Sequence, residues 1–421
     1  MMRLFSRRSG SRILLYSHDT FGLGHLRRCR AIAHSLVERN PDVTALILTG
    51  SPIIGAFDFR ARVDFVRVPG VIKLRNGDYT SLNLHLDIED TVRIRESIIQ
   101  HTADIFDPDI LIVDKEPLGL RGEMEPTLHM LKKRGTRMVL GLRDVLDEPK
   151  MLEAEWDRKG ALPAIEAIYD EIWVYGLKEI YDPLAGLNPS RAITEKMVYT
   201  GYLPRPLPTQ TPAKHWPEIT SDEYLLVMTG GGGDGEGLID WVLTAYEQRS
   251  DLPLPALLVL GPFMAAEKQV EFQERAEKLG NVDAIVFHAQ IEHLVDRAKA
   301  IVAMGGYNTF CELLTLDKPA LVVPRTIPRQ EQYLRARKAE ELGLIRMLVD
   351  PREADGGPRD PGIMAEALKA LMHQPKPSDA FVPGLLGGFD RVNQLVAPWL
   401  DGPRRRRFPF FGASRPSRAA V

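Results

Sequence analysis

Short apolar runs rich in Val, Ile and Leu alternate along the chain with longer stretches whose apolar residues recur every three or four positions. In the first half the runs are Arg12–Ser17, Val43–Thr49, Asp64–Val68, Ile110–Val113, Met138–Leu142, Ile172–Tyr175 and Met197–Thr200. Gly, Pro, Asp or Asn bounds each of them, which is the pattern of buried parallel strands. His25–Arg39, with Leu26, Ala33, Leu36 and Val37 on one face, predicts a helix, as do Ile88–Phe106 and Glu123–Arg134. The pattern stops at 204–218, where Pro204, Pro206, Pro208, Pro212 and Pro217 predict an extended, semi-stiff connector. It then resumes with strands at Tyr224–Thr229, Ala256–Leu260, Ala284–Phe287, Ile301–Met304, Ala320–Val323 and Ile345–Val349, and with helices at 235–249, 266–279, 307–316 and 330–342. Helices over Ile363–His373 and Arg391–Leu400 follow. The prediction is an α/β protein of two Rossmann-like units, 13–203 and 219–385, joined by the 204–218 connector, with a last helix in 386–402.

A length of 421 residues suits two domains. A composition of 44% hydrophobic and 26% charged residues is that of an ordinary globular protein. The longest apolar runs fall far short of the ~20 residues of a membrane helix, and the basic Met1–Gly10 lacks the apolar core of a secretory signal. The two cysteines, Cys29 and Cys311, form no CxxC pair. This excludes a disulfide framework and a cysteine-rich zinc site, and fits a reducing cytoplasm. The net charge of −3 conceals an asymmetry: 1–12 carries four arginines and 403–421 six, so the body between them stands at −13. An acidic body disfavours a broad nucleic-acid surface. The tail, with Phe408, Phe410 and Phe411 among its arginines, suits peripheral contact with anionic lipid headgroups; plain disorder is the alternative.

In open α/β sheets ligands bind beyond the carboxyl ends of the strands, so the residues there are the candidates. After the first strand come Asp19, Gly22, Gly24 and His25 at the start of a helix. The glycines let the backbone approach a ligand, and a positive helix end favours neutral His25, as a general base requires. The pattern is GxGxxR, and no acidic residue follows the second strand, so a nicotinamide dinucleotide site is disfavoured. His18, Asp19 and His25 match no familiar metal spacing. Asp114 and Asp144 end later strands and face the same cleft, whereas Asp107-Pro108-Asp109 precedes a strand and reads as a turn. In the second half Thr229-Gly230-Gly231-Gly232 can wrap a diphosphate, and without Gly-Lys-Ser/Thr it is no P-loop. Gly305-Gly306 opens another helix, with Asn308 and Thr309 in its first turn. Glu312 lies one to two turns in and can accept from both hydroxyls of a ribose. Glu331 and Gln332, entering the next helix, can bond sugar hydroxyls.

These motifs, from Tyr224 to about Ala339, resemble the nucleotide-binding half of GT-B glycosyltransferases of family 28, whose type enzyme transfers GlcNAc to undecaprenyl-diphospho-muramoylpentapeptide. The resemblance implies two Rossmann-like domains facing across a cleft, with a UDP-sugar donor as co-substrate and no metal. It implies Glu312 on the ribose and backbone groups near Ile291 on uracil. The family's Gln-Gln on the donor sugar appears here as Glu331-Gln332. Gly22-Leu23-Gly24-His25-Leu26-Arg27-Arg28-Cys29 resembles instead the GxGHxxRC signature of related nucleotide-sugar hydrolases of pseudaminic acid synthesis, in which the histidine activates water. The expectation is a transferase in which His25 takes the acceptor's proton, with Asp19, Asp114 and Asp144 as lesser candidates. Closure about the proline-rich connector would exclude water. The acceptor is open, with a lipid-linked one or a polysaccharide in view. A nucleotide-sugar hydrolase, a 2-epimerase and a non-catalytic binding protein are the alternatives.

Overall fold

The computed structural model describes residues 10–401 apart from 19–23, 74–77, 206, 208–215, 232 and 289. Asp19, Gly22, Gly232 and nearly all of both basic tails therefore lie outside the described residues. The first domain holds β1 (Ser11–Ser17), β2 (Val43–Thr49), β3 (Val63–Arg67), the antiparallel hairpin β4 (Val71–Lys73) and β5 (Tyr79–Ser81), β6 (Ile110–Asp114), β7 (Arg137–Arg143), β8 (Glu171–Tyr175) and β9 (Met197–Tyr199). Its helices are α1 (Gly24–Arg39), α2 (Ile88–Phe106), α3 (Glu125–Arg134), α4 (Pro149–Lys159), α5 (Ala161–Ile168) and α6 (Arg191–Glu195). The second domain holds β10 (Leu225–Met228), β11 (Ala256–Val259), β12 (Val282–Ile285), β13 (Ala300–Ala303), β14 (Ala320–Val322) and β15 (Arg346–Met347). With them run α7 (Glu236–Gln248), α8 (Ala266–Glu277), α9 (Ile291–Arg297), α10 (Tyr307–Thr315), α11 (Glu331–Glu341), α12 (Pro351–Ala354) and α13 (Pro361–Leu371), before the closing helix α14 (Gly388–Asp401).

The sheets are parallel, in the orders β3-β2-β1-β6-β7-β8-β9 and β12-β11-β10-β13-β14-β15. Apolar runs explain them: β6 reads Ile-Leu-Ile-Val-Asp and is buried along its whole length, because helices cover both faces. α1 buries Leu26, Cys29, Ile32, Ala33, Leu36 and Val37, a stripe at helical spacing, against this sheet. In each domain the strand order reverses beside the first strand, between β1 and β6 and between β10 and β13. Loops leaving two such neighbours run to opposite sides and open a crevice at their carboxyl ends.

The predicted strands lie where the apolar runs place them, to within one or two residues. The β4–β5 hairpin and α4–α5 are additions that the alternation did not indicate. The last helix begins at Gly388 and carries Pro398 within its final turn. It returns to the first domain, where Asn393 Nδ2 donates to Ser35 Oγ at 2.9 Å and Trp399 stacks on Trp173. The chain thus passes between the domains twice, and the two passages touch: Tyr202 N–H bonds Leu385 O at 2.8 Å, and Gly388 N–H bonds Tyr202 O at 3.1 Å. Gly201 (φ +84°) packs so closely there that a Cβ would lie 2.3 Å from Gly384 O.

One buried ion pair clamps the two sheets together. Arg335 of α11 donates Nε and Nη2 to the two oxygens of Asp144, each at 2.6 Å, and Tyr202 Oη donates to Asp144 at 2.7 Å. Neither charged side chain is more than 1% exposed. Removing one partner of such a pair strands the other in a dry site. Asp144→Asn should therefore lower the unfolding free energy by about 3–5 kcal/mol, read from urea denaturation.

Candidate functional site

His25 is the second residue of α1, at the crevice beside β1, and Asp114 is the last residue of the neighbouring strand β6. His25 Nδ1 lies 2.5 Å from Asp114 Oδ2. Arg28, one turn further along α1, reaches the same carboxylate with Nε at 2.8 Å and Nη2 at 2.7 Å. Arg28 holds the Asp114 carboxyl far below the ordinary range, against the opposing effect of burial. An ionised carboxylate can only accept, so the Nδ1 of His25 carries the proton and Nε2 is left as the basic atom. That atom has no hydrogen-bond partner among the described residues, and the side chain keeps 15% of its surface. Burial pushes the His25 pKa down to about 4, although Asp114 pulls it upward. The imidazole is thus a free base across the neutral range. His18, edge-on to His25 at 5.8 Å, is also kept neutral by burial.

The two candidate aspartates among the described residues, Asp114 and Asp144, therefore part company. Asp114 orients His25 and would stabilise its imidazolium, a supporting role rather than that of a separate base. Asp144 is the clamp to Arg335 and Tyr202. Both of its oxygens are engaged and it is fully buried, so it cannot reach a substrate proton.

The facing wall belongs to the second domain. Gly305 takes φ +77°, and a Cβ there would meet Val322 Cγ1 at 2.6 Å, so only glycine allows the turn from β13 into α10. Gly306 caps α10 with open space about its Cα, leaving the first amides of that helix free for an anion. Gly230 (φ +69°) is open in the same way, and Gly231 packs on Phe263. Thr229 turns its hydroxyl back to Leu260 O at 2.6 Å, so it fixes the loop's base rather than presenting a donor. Ile291 opens α9, and Glu312 lies buried in α10. At the start of α11, Glu331 accepts from Arg325 at 2.6 Å and keeps Oε2 without a partner, while Gln332 Oε1 accepts from Arg325 N at 3.1 Å. Among the described residues no group of three His, Cys, Asp or Glu side chains is placed to hold a metal ion.

Three contacts bring the walls together. Arg27, on α1, donates one nitrogen to Glu312 at 2.8 Å and to Glu292 of α9. Asn308 Nδ2 donates to Gly24 O at 3.3 Å, and a Cβ at Gly24 would lie 3.3 Å from that amide nitrogen. Arg205, just past β9, donates to Arg27 O at 3.0 Å and to Asn308 Oδ1 at 2.5 Å. Thr309, in the same turn, is half-buried. Arg27 and Arg205 escaped the sequence reading. The available signal was an arginine beside each glycine or proline turn, but the partners lie elsewhere in the chain.

Solved structures share this architecture. A UDP-glucosyltransferase from Polygonum tinctorium superposes with a TM-score of 0.59 at 13% identity, over 94% of this chain and all of that one. MurG of Acinetobacter baumannii gives 0.53 at 13%, over 91% and 95%. The fold is that of the GT-B glycosyltransferases, two Rossmann-like domains across a cleft. Within it, residues 225–377 match the glycosyltransferase family 28 C-terminal domain. A relative from Methylorubrum extorquens, the UDP-N-acetylglucosamine–N-acetylmuramyl-(pentapeptide) pyrophosphoryl-undecaprenol N-acetylglucosamine transferase, is 28% identical over 219 residues. The match covers 50% of this chain and 57% of that protein. The enzyme of the same name from Alkaliphilus metalliredigens is 20% identical over 131 residues, 31% of this chain and 36% of that one. The chain thus spans about half the length of the curated relatives it matches. No helix among the described residues is long and apolar enough to cross a membrane.

An NMR titration of the imidazole tests the dyad. His25 should titrate near pH 4, and Asp114→Asn should move it lower still by removing the charge that opposes burial. An unfolded imidazole takes up its proton near pH ~6.5. Below that pH the unfolded state binds more protons than the native one, so this group's contribution to stability falls between 6.5 and about 4.

Proposed function

We propose that the protein is a glycosyltransferase that moves a sugar from a UDP-sugar to an acceptor bound against the first domain. The observation that carries this reading is the approach of the two walls: Arg27, two residues from His25, lies 2.8 Å from Glu312. The helix that carries the basic imidazole thus also contacts the carboxylate that the family resemblance assigns to ribose. In this reading Gly230, Gly231, Gly305 and Gly306 receive the diphosphate, and with them the first turn of α10 at Asn308 and Thr309. Their amides stabilise the charge that develops as UDP departs. Ile291 supplies backbone groups to uracil, Glu312 accepts from the ribose hydroxyls, and Glu331 and Gln332 face the sugar. The unpartnered Oε2 of Glu331 is an acceptor ready for a hydroxyl. His25 Nε2 takes the proton from the attacking hydroxyl, and Asp114 stabilises the imidazolium.

The names of the relatives favour N-acetylglucosamine as the sugar and a lipid-linked diphosphate as the acceptor class. The carboxylate of Glu331, where the family has an amide, makes the sugar the first thing to vary. The basic ends of the chain suit an enzyme working at an anionic membrane face in the cytoplasm.

The test is a panel of UDP-sugars with purified protein, followed for UDP and free sugar with and without cell extract. UDP release that depends on extract supports transfer, and free sugar in buffer alone identifies water as the acceptor. No binding or turnover of any nucleotide sugar would refute the reading. His25→Ala should cut turnover by about 10²–10⁴ while retaining UDP binding. Glu312→Ala should instead weaken UDP binding, and unchanged affinity would remove the ribose assignment.

A further inference from the structure

Arg27 stands where the reading above, on which this inference rests, needs a ribose. Its guanidinium belongs to the first domain and its two carboxylate partners, Glu292 and Glu312, to the second. Glu312 is almost wholly buried, and Glu292 keeps 16% of its surface. Burial raises the Glu312 pKa, and the Arg27 cation opposes that rise. In the ligand-free protein Arg27 is the neutralising partner of both carboxylates. Its backbone is in turn held by Arg205, which also grips Asn308 at the head of α10.

A carboxylate oxygen bonded to a guanidinium across the cleft is shut off from a ribose entering the same cleft. We propose that Arg27 is an interdomain latch that occupies the ribose position on Glu312, and that a uridine nucleotide must displace it to bind. Glu292 gives the displaced cation somewhere to stay. The guanidinium can pivot onto Glu292 alone, so opening the latch does not leave Arg27 without a partner. Donor entry is then coupled to separation of α1 from α10, and hence to the position of His25 two residues away. The apparent affinity for the nucleotide is the intrinsic affinity reduced by the fraction of molecules with the latch open.

Arg27→Met with Glu292→Gln removes the latch without changing net charge. Calorimetric titration with UDP and with uridine should show both binding about tenfold more tightly to the double variant than to the native protein. Equal affinities, or weaker binding of both ligands, would overturn the latch. Weaker UDP binding with unchanged uridine would overturn it too, by making Arg27 a ligand of the diphosphate. If neither protein binds UDP or uridine, the donor assignment falls and the latch with it. If the native protein binds UDP and the double variant gains nothing, only the latch falls. Thermal unfolding of the variant checks that both domains remain folded.

Discussion

A carboxylate buried between two domains must be neutralised, and here the opposite domain supplies the cation. Asp144 of the first domain meets Arg335 of the second, and Glu312 of the second meets Arg27 of the first. Arg329, before α11, adds a third crossing to Glu155 and Asp147. Each charge would be costly alone, since taking an ion out of water costs several kcal/mol unless a partner and hydrogen bonds compensate. The two sheets are thereby held at a defined separation, over a hydrophobic cluster that runs through both domains. Gly24 belongs to the same zone, its carbonyl accepting from Asn308 of α10 at 3.3 Å.

Within that frame, similar chemistry gives unlike outcomes. Asp114 and Asp144 both follow central strands, and both carry an arginine in two-point contact. Asp114 also accepts from an imidazole that retains some surface, so its partner can meet a ligand. Asp144 accepts from a phenol and an arginine in a closed core, which makes it a clamp. The neighbour, and not the residue type or its place at a strand end, separates a carboxylate paired with a part-exposed imidazole from one sealed in the interface.

Much of this was legible in the chain itself. Alternating apolar runs located the sheet strands, and glycines ahead of helices located both walls of the cleft, because the local periodicity of burial and the backbone needs of a tight turn are written locally. His25 lies at the start of α1, and Gly305, Gly306 and Glu312 lie at and within α10, the helix that α1 contacts. The ion pairs were not legible. Arg28 lies 86 positions from Asp114, Arg335 lies 191 from Asp144 and Arg27 lies 285 from Glu312. Nothing in a run of charges says which distant partner the topology will deliver. For the same reason Asp144 reads as a candidate base in sequence and Thr229 as a phosphate ligand, since the side chain's eventual neighbour decides each role.

The double passage of the chain between the domains bears on how they can move. A single connector lets two bodies twist and swing freely. Here the strand after β9 and the approach to α14 run side by side, joined by backbone hydrogen bonds between Tyr202, Leu385 and Gly388. Two passages bonded to each other restrain the twist of one domain against the other more than one connector would.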